Sequence, residues 1–446
     1  MGTIFDYLDW RGDIPFAQVP LNPVDALILS TLAYVHFQDL VPQRPGPGVP
    51  LAQAAQAFLS LPESSTEDRV RCDNDRKLLR ALMDAPRFSG LTLTFHQDIF
   101  SPQRETQFAA LAIRVSREET FLAFRGTDST LVGWKEDFNM SFLDTVPAQQ
   151  AALDYLTAWV THSPGPVIMG GHSKGGNLSL YVALTMKKEL QDYLVKVVSF
   201  NAPGITKPIL SLYEQRAKDP EFLEKLVIFE NENDCVSAFF ENLKEPIYVR
   251  SCYPCTNMEE LYHNHNLYAM DFRENAYVMA EKKTVMPKFF YHFINDFFMN
   301  LKEERVQKVV AKMDEYFDSG CSMEELYKLM LVDVSRYVSL FEDIPEEEMA
   351  TITLQDLIDR RKTKLIMDKV KELQPKETLQ KMADSVMIAS PIVKLNEIDM
   401  KEITQGLIDN YELMVKEKTK EFQSMISENN EKIMHAIRSI RNRESN

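Results

Sequence analysis

Residues 166–177 read Pro-Val-Ile-Met-Gly-Gly-His-Ser-Lys-Gly-Gly-Asn, and few local patterns restrict a fold so tightly. Val167, Ile168 and Met169 form a short apolar run, as expected of a strand buried on both faces. Gly171-His172-Ser173-Lys174-Gly175 is G-x-S-x-G, and the apolar Leu178, Leu180, Val182, Ala183 and Leu184 behind it suit a helix. A strand that turns into a helix over so few residues strains the serine backbone and demands small neighbours. Glycine leaves room where helix and strand approach. The serine oxygen then stands at a helix N-terminus, where unpaired N–H groups can stabilise negative charge. The pattern predicts a nucleophilic Ser173 at a strand-to-helix turn.

The surrounding chain has the periods that such a turn requires. Residues 1–85 read as mostly helical: Asn22 caps a segment with Pro23 at its first position, and a second helix is expected over 76–83. Four prolines and two glycines make 41–50 a loop. Leu91-Thr-Leu-Thr-Phe95 alternates, and 107–115 and 120–125 are strand-like runs joined by the polar 116–119, which predicts a hairpin. Helical sequence from Ala151 leads to the 167–169 strand; later strands are expected at 195–200 and 226–229, with helical sequence at 207–225 between them. Strands alternating with helices predict an α/β-hydrolase-like mainly parallel sheet with helices on both faces. Ligands sit at the carboxyl ends of such strands. Thr127, Ser173, Asn201 and Asp234 all fall just past strand ends.

Bulk properties narrow the rest. At 446 residues two domains are expected, a 1–335 α/β domain and a 336–446 charged helical region. Formal charge of −16 argues against a nucleic-acid partner and against attraction to anionic lipid. No uncharged apolar run approaches the roughly 20 residues of a transmembrane segment, and the acidic opening Met1-Gly-Thr-Ile-Phe-Asp6 is unlike a signal peptide. Five cysteines, an odd number in a long chain, suggest reduced thiols and a cytoplasmic location. Cys252-Tyr-Pro-Cys255 has no second pair beside it, so neither a metal nor another cofactor is expected. The aromatic run 289–298 reads as a core helix, with an acyl-chain pocket as the sharper reading. An apolar stripe from Ile403 to Ile440 would pack on the chain's own body or support self-association.

A serine needs a base to take its proton and an acid to orient that base. In α/β-hydrolases the order is Ser, acid, His. Asp234 has the right address after the 226–229 strand, with Glu230 and Glu232 as competitors closer to it. Downstream histidines are His263, His265, His292 and His435, of which the first two occupy a polar loop about 30 residues past Asp234. In an extended loop those two would share a side, roughly 7 Å apart. His263 lies nearer the solvated 259–262 turn. The oxyanion needs two donors: the backbone N–H of Lys174 and, from an earlier strand end, Thr127 with Gly126 before it. The Lys174 side chain is expected in solvent, and Arg125 and Asp137 are expected to form an ion pair.

Phe124-Arg-Gly-Thr127 with Trp134 and Asp137, the elbow, Phe200-Asn-Ala-Pro-Gly204 and Asn233-Asp-Cys-Val236 together resemble the class 3 (fungal triacylglycerol) lipases. Phe5-Asp-Tyr-Leu-Asp-Trp-Arg-Gly-Asp13, Lys174 and His265-Asn-Leu-Tyr268 resemble more closely a bacterial family of lipase-like proteins, over residues 1 to about 335. The resemblance implies Ser173, Asp234 and His265 as catalytic residues, and it departs from the lipases at Lys174, where they usually carry leucine. The expected function is a serine hydrolase cleaving lipid-like or small acyl esters through an acyl-enzyme. A thioesterase or acyltransferase would use the same residues. A non-catalytic lipase-like interaction protein would keep the fold alone.

Overall fold

The computed structural model describes residues 2–284 and 287, apart from 129, 141–142, 256–259 and 261–262. The run at 289–298, His292, His435, the stripe from Ile403 to Ile440 and the whole 336–446 region lie outside the described residues.

Eight strands form one sheet in chain order: β1 (Val49–Pro50), β2 (Thr92–Ser101), β3 (Thr106–Arg114), β4 (Thr120–Phe124), β5 (Val167–His172), β6 (Leu194–Phe200), β7 (Leu226–Asn231) and β8 (Ile247–Val249). β1 to β4 pair antiparallel and β4 to β8 parallel. This is an α/β-hydrolase fold. The β3–β4 hairpin turns at the polar Ser116, whose hydroxyl accepts from the Glu118 and Glu119 N–H groups (3.2 and 3.1 Å). β2 runs well past Phe95, and its register slips between Thr94 and Gln97.

Both faces of the sheet are covered, which is why β4 (Thr-Phe-Leu-Ala-Phe) and β5 are buried throughout. Alternate residues divide between two cores. Leu111, Ile113, Phe121, Ala123, Ile168 and Phe200 meet the N-terminal helices; Ala110, Ala112, Leu122, Phe124, Met169 and Val197 face the opposite way. The first layer comprises α1 (Ile4–Arg11), α2 (Pro23–Leu32), α3 (Leu51–Leu59), α4 (Asp73–Asp84) and the short α5 (Pro86–Ser89). Asn22 starts α2 as expected: its side chain accepts from Val24 and Asp25, and Asp25 accepts from the Asn22 N–H. Asp25 also pairs with Arg87 (2.5 Å), both fully buried, which ties α5 to α2.

The second layer is built from the crossovers. α6 (Leu131–Asn139) and α7 (Pro147–His162) lead from β4 to β5; α8 (Lys174–Thr185) and α9 (Lys188–Gln191) lead to β6. α10 (Lys207–Leu212), α11 (Glu214–Ala217) and α12 (Pro220–Glu224) divide what the sequence presents as one helical excursion, because Tyr213 and Lys218 each break the run. A small hairpin, β9 (Phe272–Arg273) with β10 (Ala276–Tyr277), closes the described chain. Among the described residues no helix is long and apolar enough to cross a membrane, and no cluster of three or more His, Cys, Asp or Glu side chains could hold a metal ion.

His96 lies in the β2 irregularity, edge-on to Phe37 (centroids 6.3 Å apart, planes at 89°), and its Nε2 has no hydrogen-bond partner among the described residues. Burial pushes its pKa down to about 4 from the usual 6.5. As pH falls, the unfolded chain takes up this proton first, so the stabilisation is complete above about 6.5 and lost on the way to about 4. The loss amounts to about 3 kcal/mol. His96→Phe should therefore flatten the pH dependence of the urea midpoint across that interval, with parallel curves for variant and parent speaking against it.

Candidate active site

β5 ends at His172 and α8 begins at Lys174, so Ser173 alone makes the turn, at φ +56° and ψ −131°. Non-glycine residues rarely adopt this conformation, and strain of about 1–3 kcal/mol is held there by its surroundings. The glycines answer the crowding. A Cβ on Gly175 would come within 2.1 Å of the Phe124 carbonyl oxygen, and one on Gly171 within 2.3 Å of the Gly175 backbone. The Ser173 N–H donates to Phe200 (3.0 Å), which fixes the turn against β6.

Two more loops converge on this point. The Ser173 hydroxyl lies 2.9 Å from His265 Nε2, and His265 Nδ1 lies 2.6 Å from Asp234 Oδ1. Asp234 follows β7 and is fully buried; its second oxygen accepts from the Ser237 N–H (2.7 Å) and hydroxyl (2.5 Å). Burial would raise its pKa, but the His265 ring, the Lys283 ammonium and the Ser237 hydroxyl outweigh burial and hold it below the usual carboxylate value. Glu230 and Glu232 turn elsewhere. Glu230 meets Lys283 (2.8 Å) and Asn242 (2.9 Å), while Glu232 accepts from the Ser251 N–H (3.1 Å).

The loop carrying the two histidines is not extended. Asn264 N–H donates to Glu260 and Asn266 N–H to His263, so a helical turn separates the two side chains. His263 is exposed, whereas the His265 side chain keeps only 15 % of its surface accessible. The fully buried Asn264 between them donates to the Glu260 and Pro254 carbonyls (2.7 and 2.9 Å) and locks the turn. Local polarity suggested an open loop; this asparagine's backbone bonds are what fold it.

Three neighbours of this hydrogen-bonded line carry no simple sequence signal. His172, inside the elbow, places Nε2 2.7 Å from the His265 carbonyl and Nδ1 2.8 Å from the Tyr34 hydroxyl. A carbonyl only accepts, so Nε2 carries the proton and Tyr34 donates to Nδ1. Burial pushes the His172 pKa well down, with the Arg71 charge adding to the shift, so the ring stays neutral in this role. Lys283 is the third. Its ammonium donates to Ser237 Oγ (2.6 Å) and the Asp234 carbonyl (3.1 Å), behind the acid.

Thr127 and Lys174 reach the same edge. β4 and β5 are adjacent and parallel with Phe124 opposite Gly171, so Thr127 and Ser173 emerge side by side. Lys174 is the first residue of α8, where the N–H has no partner within the helix. The Thr127 hydroxyl, however, donates to Asp137 (2.5 Å). Burial lifts the Asp137 carboxyl to about 6, against the pull of Lys174 and Thr127.

Two charge expectations are overturned. The Lys174 side chain is 1 % exposed, not solvated: its ammonium donates to Glu136 Oε2 (3.0 Å), Gln107 Oε1 (2.7 Å) and the Gln107 carbonyl (3.0 Å). Arg125 does not pair with Asp137. It meets Asp98 (2.9 Å), Asp128 (3.6 Å) and His36 Nε2 (2.7 Å), because β2 lies beyond β3 on that side. Cys252 and Cys255 are free thiols, and burial pushes them to about 11 and about 12, far from thiolate chemistry near neutrality.

A family model described as Mbeg1-like matches residues 82–317, more than half of the chain. The chain belongs to the Mbeg1-like family. All five candidate site residues fall inside the matched span. No curated protein matches this Mbeg1-like chain. Among solved structures it is similar to the M37 lipase (12 % identity, 54 % of this chain and 89 % of that one, TM-score 0.34). It is also similar to a mutant form of MDLA from Penicillium cyclopium (12 %, 61 % and 89 %, 0.34) and to Lip2 lipase from Yarrowia lipolytica (12 %, 57 % and 93 %, 0.32). At these identities and scores they say nothing about the chemistry of the Mbeg1-like site.

Proposed function

We propose that this chain is a serine hydrolase of carboxylic esters, acting on lipid-like or small acyl substrates through an acyl-enzyme. The observation that carries the reading is the continuous hydrogen-bonded line Ser173–His265–Asp234, at 2.9 and 2.6 Å, on a strained strand-to-helix turn. Ser173 Oγ attacks the acyl carbonyl as His265 Nε2 takes its proton. The carbonyl oxygen becomes an oxyanion bound by the N–H groups of Lys174 and Thr127. The imidazolium, held by Asp234, gives the proton to the departing alkoxide. Water then repeats the sequence on the acyl-enzyme and frees the acid and Ser173.

A fluorophosphonate probe tests the nucleophile, and a panel of p-nitrophenyl esters of graded chain length tests the substrate class. Absence of both labelling and turnover would favour a protein that keeps the fold for binding alone. Faster turnover of matched thioesters would move the reading to thioesterase.

Thr127→Val tests the second donor. Because its hydroxyl is engaged by Asp137, the backbone N–H is the direct donor and the hydroxyl holds it in place. Loss of a whole oxyanion donor costs on the order of 3 kcal/mol. With the N–H retained, kcat should fall about tenfold with KM little changed. A change confined to KM would assign Thr127 to substrate binding.

A further inference from the structure

Lys174 follows the nucleophile directly, yet its side chain turns away from solvent into a site whose other charged member, Glu136, is fully buried. Burying an ammonium and a carboxylate is unfavourable unless every donor and acceptor is met. Here all are met. The three ammonium protons go to Glu136 Oε2, Gln107 Oε1 and the Gln107 carbonyl. Glu136 Oε2 also accepts from the Gln107 N–H (3.1 Å), and Oε1 accepts from the Ala148 N–H (2.8 Å). One ion pair thus joins β3, α6, α7 and α8. An apolar side chain would fill the same volume, but it would fix no direction.

The next residue on α6 is Asp137, which takes the Thr127 hydroxyl at 2.5 Å and whose other oxygen faces the same ammonium at 4.0 Å. That oxygen is buried and has no hydrogen-bond partner among the described residues. Thr127 itself lies past Phe124, the last paired residue of β4, so no strand ladder holds it. Gly126 before it packs on the His172 carbonyl, and the Thr127 side chain has its own anchor to the elbow, from Asp137 through α6 and Glu136 to Lys174.

We propose that the Lys174–Glu136 pair is a positioning device for the oxyanion segment, fixing α6, and through Asp137 the Thr127 donor, against the turn that carries Ser173. The proposal rests on the serine-hydrolase reading above. Neither side chain touches substrate; the pair acts by holding a donor where the negative charge will develop, before it develops. Removing it should loosen transition-state binding while leaving ground-state binding nearly as it was.

The test is a double-mutant cycle between Lys174→Met/Glu136→Gln, which neutralises both charges at similar size, and Thr127→Val. Turnover of a soluble p-nitrophenyl ester and the rate of fluorophosphonate labelling are read on each protein, with folding checked by near-UV circular dichroism. The neutral pair should lower kcat and the labelling rate about tenfold, with KM within about twofold. In that background Thr127→Val should cost little more, since a donor already adrift cannot be lost again. Full additivity of the two changes, or a folded neutral pair with parental kcat, overturns the proposal and leaves the hydrolase standing. If the neutral pair does not fold, Glu136→Gln alone enters the same cycle and is judged in the same way. An unmutated protein that neither labels nor turns over would overturn hydrolase and positioning role together.

Discussion

Ser173→Ala is expected to reduce ester turnover by roughly 10⁴-fold or more and to abolish phosphonate labelling, while the protein stays folded. The hydroxyl makes no packing contact that the fold needs; its hydrogen bond is to His265 Nε2. What the fold needs from this residue is its backbone, held at φ +56° and ψ −131° by the bond to Phe200 and by the first turn of α8. Alanine tolerates that conformation no better than serine does, so the strain remains and the melting temperature should hardly move. Ser173→Gly separates the two roles. Glycine adopts the turn without strain, so this variant should be as inactive as the alanine one yet more stable than the parent, by about 1–3 kcal/mol. A glycine variant no more stable than alanine would mean that the turn stores little strain. Activity within tenfold of the parent in either variant would remove Ser173 from the chemistry.

The elbow is legible in the sequence because its constraint is local: a buried strand, small residues around one serine, and a helix, all within a dozen positions. The layering of the sheet is legible for a similar reason, since β4 and β5 are apolar on both sides and 1–85 has helical spacing. What escapes is everything fixed by contacts between distant segments. Lys174 reads as a surface charge until β3 and α6 are seen to bring Gln107 and Glu136 to it. Arg125 looks like the partner of Asp137 twelve residues on, but a slipped register in β2 presents Asp98 instead. The Tyr34–His172 link spans 138 residues, and no periodicity announces it. The hydrophobic pattern gives which face a strand buries; it does not give which polar atoms meet where the strands end.

His265→Ala should lower turnover by roughly 10⁴-fold or more and suppress phosphonate labelling, whereas His263→Ala should keep both within about tenfold of the parent. The two residues are two positions apart on a helical turn, so their side chains diverge, and only His265 lies between Ser173 and Asp234. The general base must be within hydrogen-bond reach of the serine proton and neutral when it takes it. Nδ1–H donating to Asp234 leaves Nε2 with the lone pair facing Ser173, so the acid sets the tautomer as well as the angle. Alanine at 265 should not collapse the loop, because His172 holds it through the His265 carbonyl and Asn264 through Glu260 and Pro254. The buried Asp234 then loses its histidine but keeps Ser237 and the nearby Lys283, so the variant should fold with an intact but silent elbow. Labelling that survives in His265→Ala but fails in His263→Ala would transfer the base to His263 by way of a loop rearrangement. Full labelling in both would mean that Ser173 reacts without a histidine, and the acyl-enzyme mechanism would have to be rebuilt around another base.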